Sequence, residues 1–178
     1  MSTTVYIAAS IDGYIADVFG STSFLSIVSN PEKEDFGFED FVDGMDCLLM
    51  GKNTYETVLG FKIEWPYNLP VYVMSNSLDK AAYGLEDKVK IVSGNIEDVI
   101  LDLNSNGLMN IWVDGGEIIK QCMKQDLVDQ LTITTIPIVL GGGIPLFEEM
   151  ENSQVFELVD SKVLLNQMVS TTYKRVRT

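Results

Sequence analysis

Two glycine-bearing loops follow short apolar runs and could bind phosphate groups. Residues 51–54 come directly after the apolar run 47–50, and residues 115–116 come shortly after the run 111–113. Glycine lets a ligand approach the backbone closely, and the first amides of a following helix attract anions. Lys52 adds one positive charge to the first loop. The two loops therefore predict a site for the phosphates of a dinucleotide cofactor.

Small polar side chains follow two further apolar runs. Ser75 and Asn76 come after residues 71–74, and Ser93 comes after residues 89–92. Their neutral donors and acceptors suit the hydroxyls or phosphate of a ribose. Because ligands of open α/β sheets bind beyond the carboxyl ends of the strands, we expect these residues to share one sheet edge with the glycine loops.

A third glycine-rich stretch, residues 141–143, offers an alternative dinucleotide site, with Asp160 near the position of a ribose-binding acid. The pattern fits this interpretation poorly. Pro145 follows, the third glycine of the fingerprint is missing, and the downstream segment resembles a strand instead of a helix. We therefore place the expected cofactor on the first two loops.

Composition excludes several classes of function. The formal net charge is −14 and only 12 side chains are Lys or Arg, so binding to nucleic acid is not expected. The chain has no histidine, which leaves acid–base chemistry to carboxylates, tyrosines or solvent. Cys47 and Cys122 lie far apart without metal-ligand spacing, and we expect packing thiols and no metal site.

The elements that must position these residues alternate between strands and helices. Five short apolar runs are typical of buried strands: residues 5–9, 47–50, 71–74, 89–92 and 111–113. Helical spacing follows at residues 96–103 behind Asn95, and again after Gly116. Asn30 and Pro31 predict the start of another helix, running to about Gly44. This alternation favours a mostly parallel sheet that is covered on both faces.

The C-terminal third is different, because residues 155–162 and 168–176 flank a short connection and predict antiparallel strands at one sheet edge. At 178 residues we expect a single domain. No apolar run is long enough for a membrane helix, and the first strand begins too close to Met1 for a signal peptide, so we expect a cytoplasmic protein without membrane association.

Three motifs together resemble the dihydrofolate reductase superfamily. Residues 8–16 read Ala-Ala-Ser-Ile-Asp-Gly-Tyr-Ile-Ala, residues 49–56 read Leu-Met-Gly-Lys-Asn-Thr-Tyr-Glu, and residues 113–119 read Val-Asp-Gly-Gly-Glu-Ile-Ile. The stretch 136–147 is similar to the branch of reductases in the riboflavin pathway. The resemblance implies a three-layer α/β sandwich with a central, mainly parallel eight-stranded sheet, an antiparallel C-terminal edge and about four helices.

The resemblance also implies roles for individual residues. NADPH would bind across the carboxyl edge of the sheet, and a small pterin or aminopyrimidine heterocycle would be reduced. Backbone contacts to the nicotinamide are implied for Ala8, Ile15 and Ala16. The implied contacts to the phosphates and ribose of the cofactor are Lys52, Asn53, Thr54, Ser75, Asn76, Gly115, Gly116, Glu117 and Ile118. Gly51 and Ser93 join this set on the loop patterns described above.

Asp35 matches the acid that dihydrofolate reductases carry on their first helix, counted back from Gly51 without a gap. A carboxylate there would orient the heterocycle by accepting two hydrogen bonds. The alternative is a carboxylate that serves only the helix dipole.

Two questions stay open at this point. The substrate could be folate-like or the 5-amino-6-(5-phosphoribosylamino)uracil of riboflavin biosynthesis. The chain could also be a regulator that binds a dinucleotide without turnover, or a structural module that binds none. We expect self-association as a homodimer through the C-terminal strands.

Overall fold

The computed structural model describes residues 1–177, in which strands and helices alternate as predicted. The strands are β1 Ser2–Ser10, β2 Tyr14–Ala16, β3 Cys47–Gly51, β4 Val71–Met74, β5 Val89–Val92, β6 Asn110–Asp114, β7 Gln130–Ile136, β8 Ile144–Pro145, β9 Val155–Leu164 and β10 Met168–Val176. The helices are α1 Phe38–Asp43, α2 Lys52–Gly60, α3 Ile96–Ser105 and α4 Gly116–Lys124, with a 3-10 helix at Ser23–Ile27. Within the described part of the chain, no helix has the length and apolarity needed to cross a bilayer.

One eight-stranded sheet has the order β5-β4-β3-β6-β1-β7-β10-β9. Its first six strands are parallel, and β10 is antiparallel to both β7 and β9. The predicted parallel sheet with an antiparallel C-terminal edge is therefore confirmed. Strands β2 and β8 form a separate antiparallel pair, which the sequence patterns do not indicate.

Two cores cover the two faces of the sheet. On one face, α3 and α4 bury apolar residues against Val5, Leu49 and Val113. On the other face, the aromatic rings of α1 and Tyr55 of α2 join a core around Leu48 and Trp112. Since strand residues alternate between the faces, Tyr6 and Ala8 of β1 lie on the α1 side.

The first helix begins later than predicted. The proposed start at Asn30 and Pro31 is wrong, because α1 starts only at Phe38. The side chain of Asn30 instead closes a loop with the backbone of Glu34, accepting from its N–H at 2.9 Å and donating to its carbonyl at 2.8 Å. Lys33 and Phe36 have positive φ angles of 52° and 60°, which a right-handed helix cannot contain.

Candidate cofactor and substrate site

The two predicted phosphate loops come together at the carboxyl edge of the sheet. Gly115, at the junction of β6 and α4, has φ 91°, and a Cβ there would overlap the hydroxyl oxygen of Thr54. A Cβ on Gly51 would lie 3.2 Å from Cγ1 of Ile118. The loop before α2 is therefore packed directly against the loop before α4, which places Gly51, Thr54, Gly115 and Ile118 side by side.

Both helices that start at this junction leave their first amides without a side-chain cap. Gly51 and Gly115 are the N-cap residues of α2 and α4, and neither can supply a capping side chain. By contrast, α3 is capped by Asn95, whose side chain accepts a hydrogen bond from the N–H of Glu97 at 2.9 Å. Free amides at two adjacent helix N-termini suit an anion such as a diphosphate. Their donor set therefore fits a dinucleotide.

Lys52 links this junction to the predicted ribose site. Its Nζ donates to the hydroxyl of Ser77 at 3.0 Å and lies 3.7 Å from a carboxylate oxygen of Glu56. The hydroxyl of Ser75 accepts hydrogen bonds from the N–H groups of Ser77 and Leu78, so it fixes the turn after β4. The ammonium group thus lies between the phosphate loop and the turn that would hold the ribose.

The remaining cofactor candidates differ in how closely they approach this junction. Asn76 and Ser93 are exposed and follow the adjacent strands β4 and β5 at the same edge. Asn53 is exposed in the first turn of α2. Glu117 is exposed, and its carboxylate accepts a hydrogen bond from the side-chain amide of Gln121 at 2.9 Å. Because a carboxylate repels a phosphate, only the backbone N–H of Glu117 suits the phosphate site.

The predicted nicotinamide contacts lie on the other side of Gly116. A Cβ on that glycine would lie 2.8 Å from Cδ1 of Ile15, so β2 packs closely on the start of α4. Ala16 is buried and pairs with Ile144 of β8. Ala8 is half-buried on β1, on the face that α1 covers. Ile15 is therefore in direct contact with Gly116, next to the residues that we expect to bind the phosphates.

Asp12 fixes the position of the glycine-rich stretch 141–143, a role the sequence patterns do not reveal. Its carboxylate accepts from the backbone N–H of Leu140 at 3.0 Å and of Gly141 at 2.7 Å. These bonds and one from the hydroxyl of Ser10 lower the pKa of Asp12, the hydroxyl having the largest effect. Gly143 then packs against the carbonyl of Ala16 so closely that a Cβ would overlap it. This glycine stretch has a packing role beside β2.

Asp114 is the titratable group that the sequence interpretation missed. It ends β6 beside Met50, and it shares a sheet face with Trp112 and Tyr67. Burial raises the pKa of Asp114, and a hydrogen bond from the N–H of Gly115 offsets this only in part. Burial, followed by the charge of Asp114, raises the pKa of Tyr67 to about 12. A carboxyl group whose surroundings favour the protonated form thus adjoins the cofactor junction.

Asp35 lies in the loop before α1, and its carboxylate is exposed. It accepts hydrogen bonds from the N–H of Glu39 at 3.0 Å and of Gly37 at 3.1 Å, which together lower its pKa. The carboxylate thus caps α1 and is not desolvated. Its charge still raises the pKa of Tyr6, after burial, so Asp35 lies within electrostatic range of that hydroxyl. Its role toward a substrate stays a prediction.

A cleft of about 260 Å³ opens beside Tyr6, between the start of α1 and the strands β7, β10 and β9. Its lining contains Phe36, Phe41 and several hydroxyl and charged groups. A larger cleft of about 580 Å³ lies beside Lys124 and Glu148. Among the described residues, neither lining includes a predicted site residue, but the smaller cleft is lined by Phe36, next to Asp35, and by Tyr6, two residues from Ala8 on β1. The smaller cleft therefore provides the candidate substrate position.

Cys47 and Cys122 are buried, as expected for packing thiols. Burial raises the pKa of each to about 12, so neither supplies a thiolate near neutral pH.

Comparison with known proteins agrees with this geometry. Residues 2–170 match the model of the RibD C-terminal domain. The uncharacterized protein YwjB of Bacillus subtilis is 34% identical over 175 residues, covering 97% of both chains. A crystal structure named "Putative riboflavin biosynthesis protein", from Shewanella sp. PV-4, is 45% identical, with a TM-score of 0.96 over 99% of this chain and 100% of that one.

More distant structures share the fold. The diaminohydroxyphosphoribosylaminopyrimidine deaminase/5-amino-6-(5-phosphoribosylamino)uracil reductase of Thermotoga maritima is 13% identical, with a TM-score of 0.76 over 98% of this chain and 56% of its own. Dihydrofolate reductase of Enterococcus faecalis, in complex with NADP(H) and RAB-propyl, is 18% identical, with a TM-score of 0.65 over 98% of this chain and 96% of its own. The predicted dihydrofolate reductase-like fold is confirmed, and the chain belongs to the RibD C-terminal domain family.

Proposed function

We propose that the protein is an NADPH-dependent reductase of a small aminopyrimidine-type heterocycle. The observation that carries the proposal is the contact between Thr54 and Gly115, which joins two uncapped helix N-termini into one anion-binding edge. Family membership supports a reductase, and the stretch 136–147 favours the riboflavin-type branch over the folate-like one.

The residues that would hold the cofactor divide into three groups. The amides following Gly51 and Gly115 would bind the diphosphate, assisted by the ammonium group of Lys52. Ser75, Asn76 and Ser93 would bind the adenosine ribose and its phosphate. Ala8, Ile15 and Ala16 would border the nicotinamide, which supplies a hydride when it is bound and reduced.

Asp114 would supply the proton that balances hydride transfer. Reduction of a C=N or C=O bond adds a hydride to carbon and a proton to the neighbouring nitrogen or oxygen. Desolvation raises the pKa of Asp114, which favours its protonated form and suits a carboxyl group that donates a proton; raised pKa values of this kind are common at functional sites. Asp35 would orient the heterocycle through its charge.

The test is NADPH oxidation with a panel of heterocycles, including 5-amino-6-(5-phosphoribosylamino)uracil, dihydrofolate and the unphosphorylated forms of the aminopyrimidine. We expect NADPH consumption with at least one aminopyrimidine. NADPH binding without consumption by any member of the panel would instead indicate a regulator, and absence of NADPH binding would leave only a structural role.

A further inference from the structure

The cleft beside Tyr6 crosses four strands of the sheet. Tyr6 of β1 aligns with Thr132 of β7, which aligns with Thr172 of β10, which aligns with Asp160 of β9. All four residues line the cleft. With strands about 4.8 Å apart, this row spans about 14 Å, so the cleft can hold an extended group.

The next row connects the cleft to the predicted nicotinamide position. Ala8 aligns through Thr134 with Ser170 and then with Lys162, and the last two also line the cleft. The cleft volume of about 260 Å³ is at the lower limit of pockets that enclose a whole small molecule. It therefore suits an arm of the substrate whose reacting part lies toward Ala8.

The charges of the lining disfavour a phosphate. Among the described residues that line the cleft, Asp40 and Asp160 contribute two carboxylates and Lys162 contributes one cation. The ammonium group of Lys162 lies 3.2 Å from a carboxylate oxygen of Asp160, and both side chains are largely exposed to solvent. Asp35 adds a further negative charge close to Tyr6. A phosphate monoester carries a charge of about −1.5 to −2, so it would meet more carboxylates than cations here.

The uncharged residues of the cleft lining favour a ligand that carries hydroxyl groups. Tyr6, Thr132, Ser170 and Thr172 each contribute a hydroxyl, and those of Thr132 and Thr172 lie 3.0 Å apart. Hydroxyls both donate and accept, and carboxylates accept strongly from hydroxyl donors. A sugar or polyol chain supplies both kinds of partner at short intervals.

We infer that the substrate carries an uncharged polyhydroxylated arm in this cleft, of the ribosyl type without a phosphate. This inference rests on the proposed reductase function. It separates the protein from the enzyme of Thermotoga maritima, whose name specifies a phosphoribosyl compound.

The direct test compares 5-amino-6-(5-phosphoribosylamino)uracil with its dephosphorylated counterpart, by calorimetric binding and by the kcat/KM of NADPH oxidation. We expect the dephosphorylated compound to be preferred by about tenfold or more, since the phosphate would face like charges. Equal use or preference for the phosphorylated compound would overturn the inference, and so would failure of both to bind. A rise in melting temperature with NADPH in the same samples reports separately on the proposed function.

A matched pair of variants tests which carboxylate sets the preference for the dephosphorylated compound. Asp160→Asn removes one carboxylate and leaves Lys162 unpaired, so the preference should shift toward the phosphorylated compound by about tenfold. Glu157→Gln removes an exposed carboxylate from the same strand but outside the cleft lining, and the preference should remain. The same preference in Asp160→Asn and the parent would contradict the placement of the arm.

Discussion

Thr54 and Gly115 are packed so closely that the position of the glycine Cβ is already occupied by the threonine hydroxyl. Thr54 lies in the first turn of α2 and Gly115 is the N-cap residue of α4, so their contact fixes the distance between two helix N-termini. Gly115 also has φ 91°, which only glycine adopts without strain. The proposed diphosphate site depends on this one contact.

Gly115→Ala should therefore lose NADPH binding and also destabilise the fold. The backbone strain costs about 1–3 kcal/mol, and the overlap with Thr54 adds to that and separates the loops. The control is Gly107→Ala, in the turn between α3 and β6, where φ is 88° but no atom lies within 4 Å of the new Cβ. It should lower the melting temperature and keep NADPH affinity. Similar affinities for the two variants would show that the contact does not shape the site.

Asp114→Asn should raise the stability of the protein at neutral pH and lower its activity. Because the pKa of Asp114 is raised in the folded state, the folded protein holds this proton where the unfolded chain has lost it. The free energy of unfolding therefore falls as pH rises above the unfolded value of 3.8 and through the folded pKa. Asparagine does not titrate, so the free energy of unfolding of the variant does not fall in this way. Its melting temperature at neutral pH should therefore exceed that of the parent.

Turnover of the same variant should fall by about 10²-fold or more, since the amide cannot donate the acid's proton. Asp98→Asn, at an exposed residue of α3, should leave turnover unchanged. Full activity in Asp114→Asn would remove Asp114 from the chemistry.

Asp35→Asn tests the predicted orienting role. Asp35 accepts from Gly37 with one carboxylate oxygen and from Glu39 with the other, and asparagine has one acceptor oxygen, so the variant should lose one of these bonds and melt at a slightly lower temperature than the parent. If the charge orients the heterocycle, turnover should fall by about 10²–10⁴-fold while NADPH affinity is unchanged. Unimpaired turnover would leave the cap of α1 as the role of this residue.

The edge strand β9 supports the prediction of a homodimer. It ends the sheet and exposes Leu158, Val159 and Val163, the last at 68% of its surface. An edge strand with exposed apolar side chains is open to pairing with another chain. Sedimentation should show a dimer, and Leu158→Lys should weaken it, whereas Leu101→Lys on α3 should not. A species of 19.8 kDa at every concentration would refute the dimer.

The sequence allows the cofactor side of the site to be predicted better than the substrate side. Residues 51–54 and 115–116 directly follow strands, and the alternation of strands and helices brings such loops to one edge. Asp114 acts on groups distant in sequence, such as Tyr67, whose pKa its charge raises, so no local pattern indicates its surroundings. The sequence rule for helix starts also fails at α1. Asn30 has the residue type of a helix N-cap, but its side chain forms hydrogen bonds to the backbone of Glu34 within a loop.

The most direct test of the central claim is a thermal melt of the parent and two lysine variants with increasing NADPH. At a hundredfold excess over Kd, NADPH should stabilise the parent by about 2.7 kcal/mol, or about 5–10 °C. Lys52→Ala should weaken binding by about 1–3 kcal/mol through loss of a charge-assisted bond, whereas Lys88→Ala, exposed at the opposite sheet edge, should match the parent. A melting temperature that neither millimolar NADPH nor NADH changes would contradict the assignment of a nicotinamide dinucleotide site.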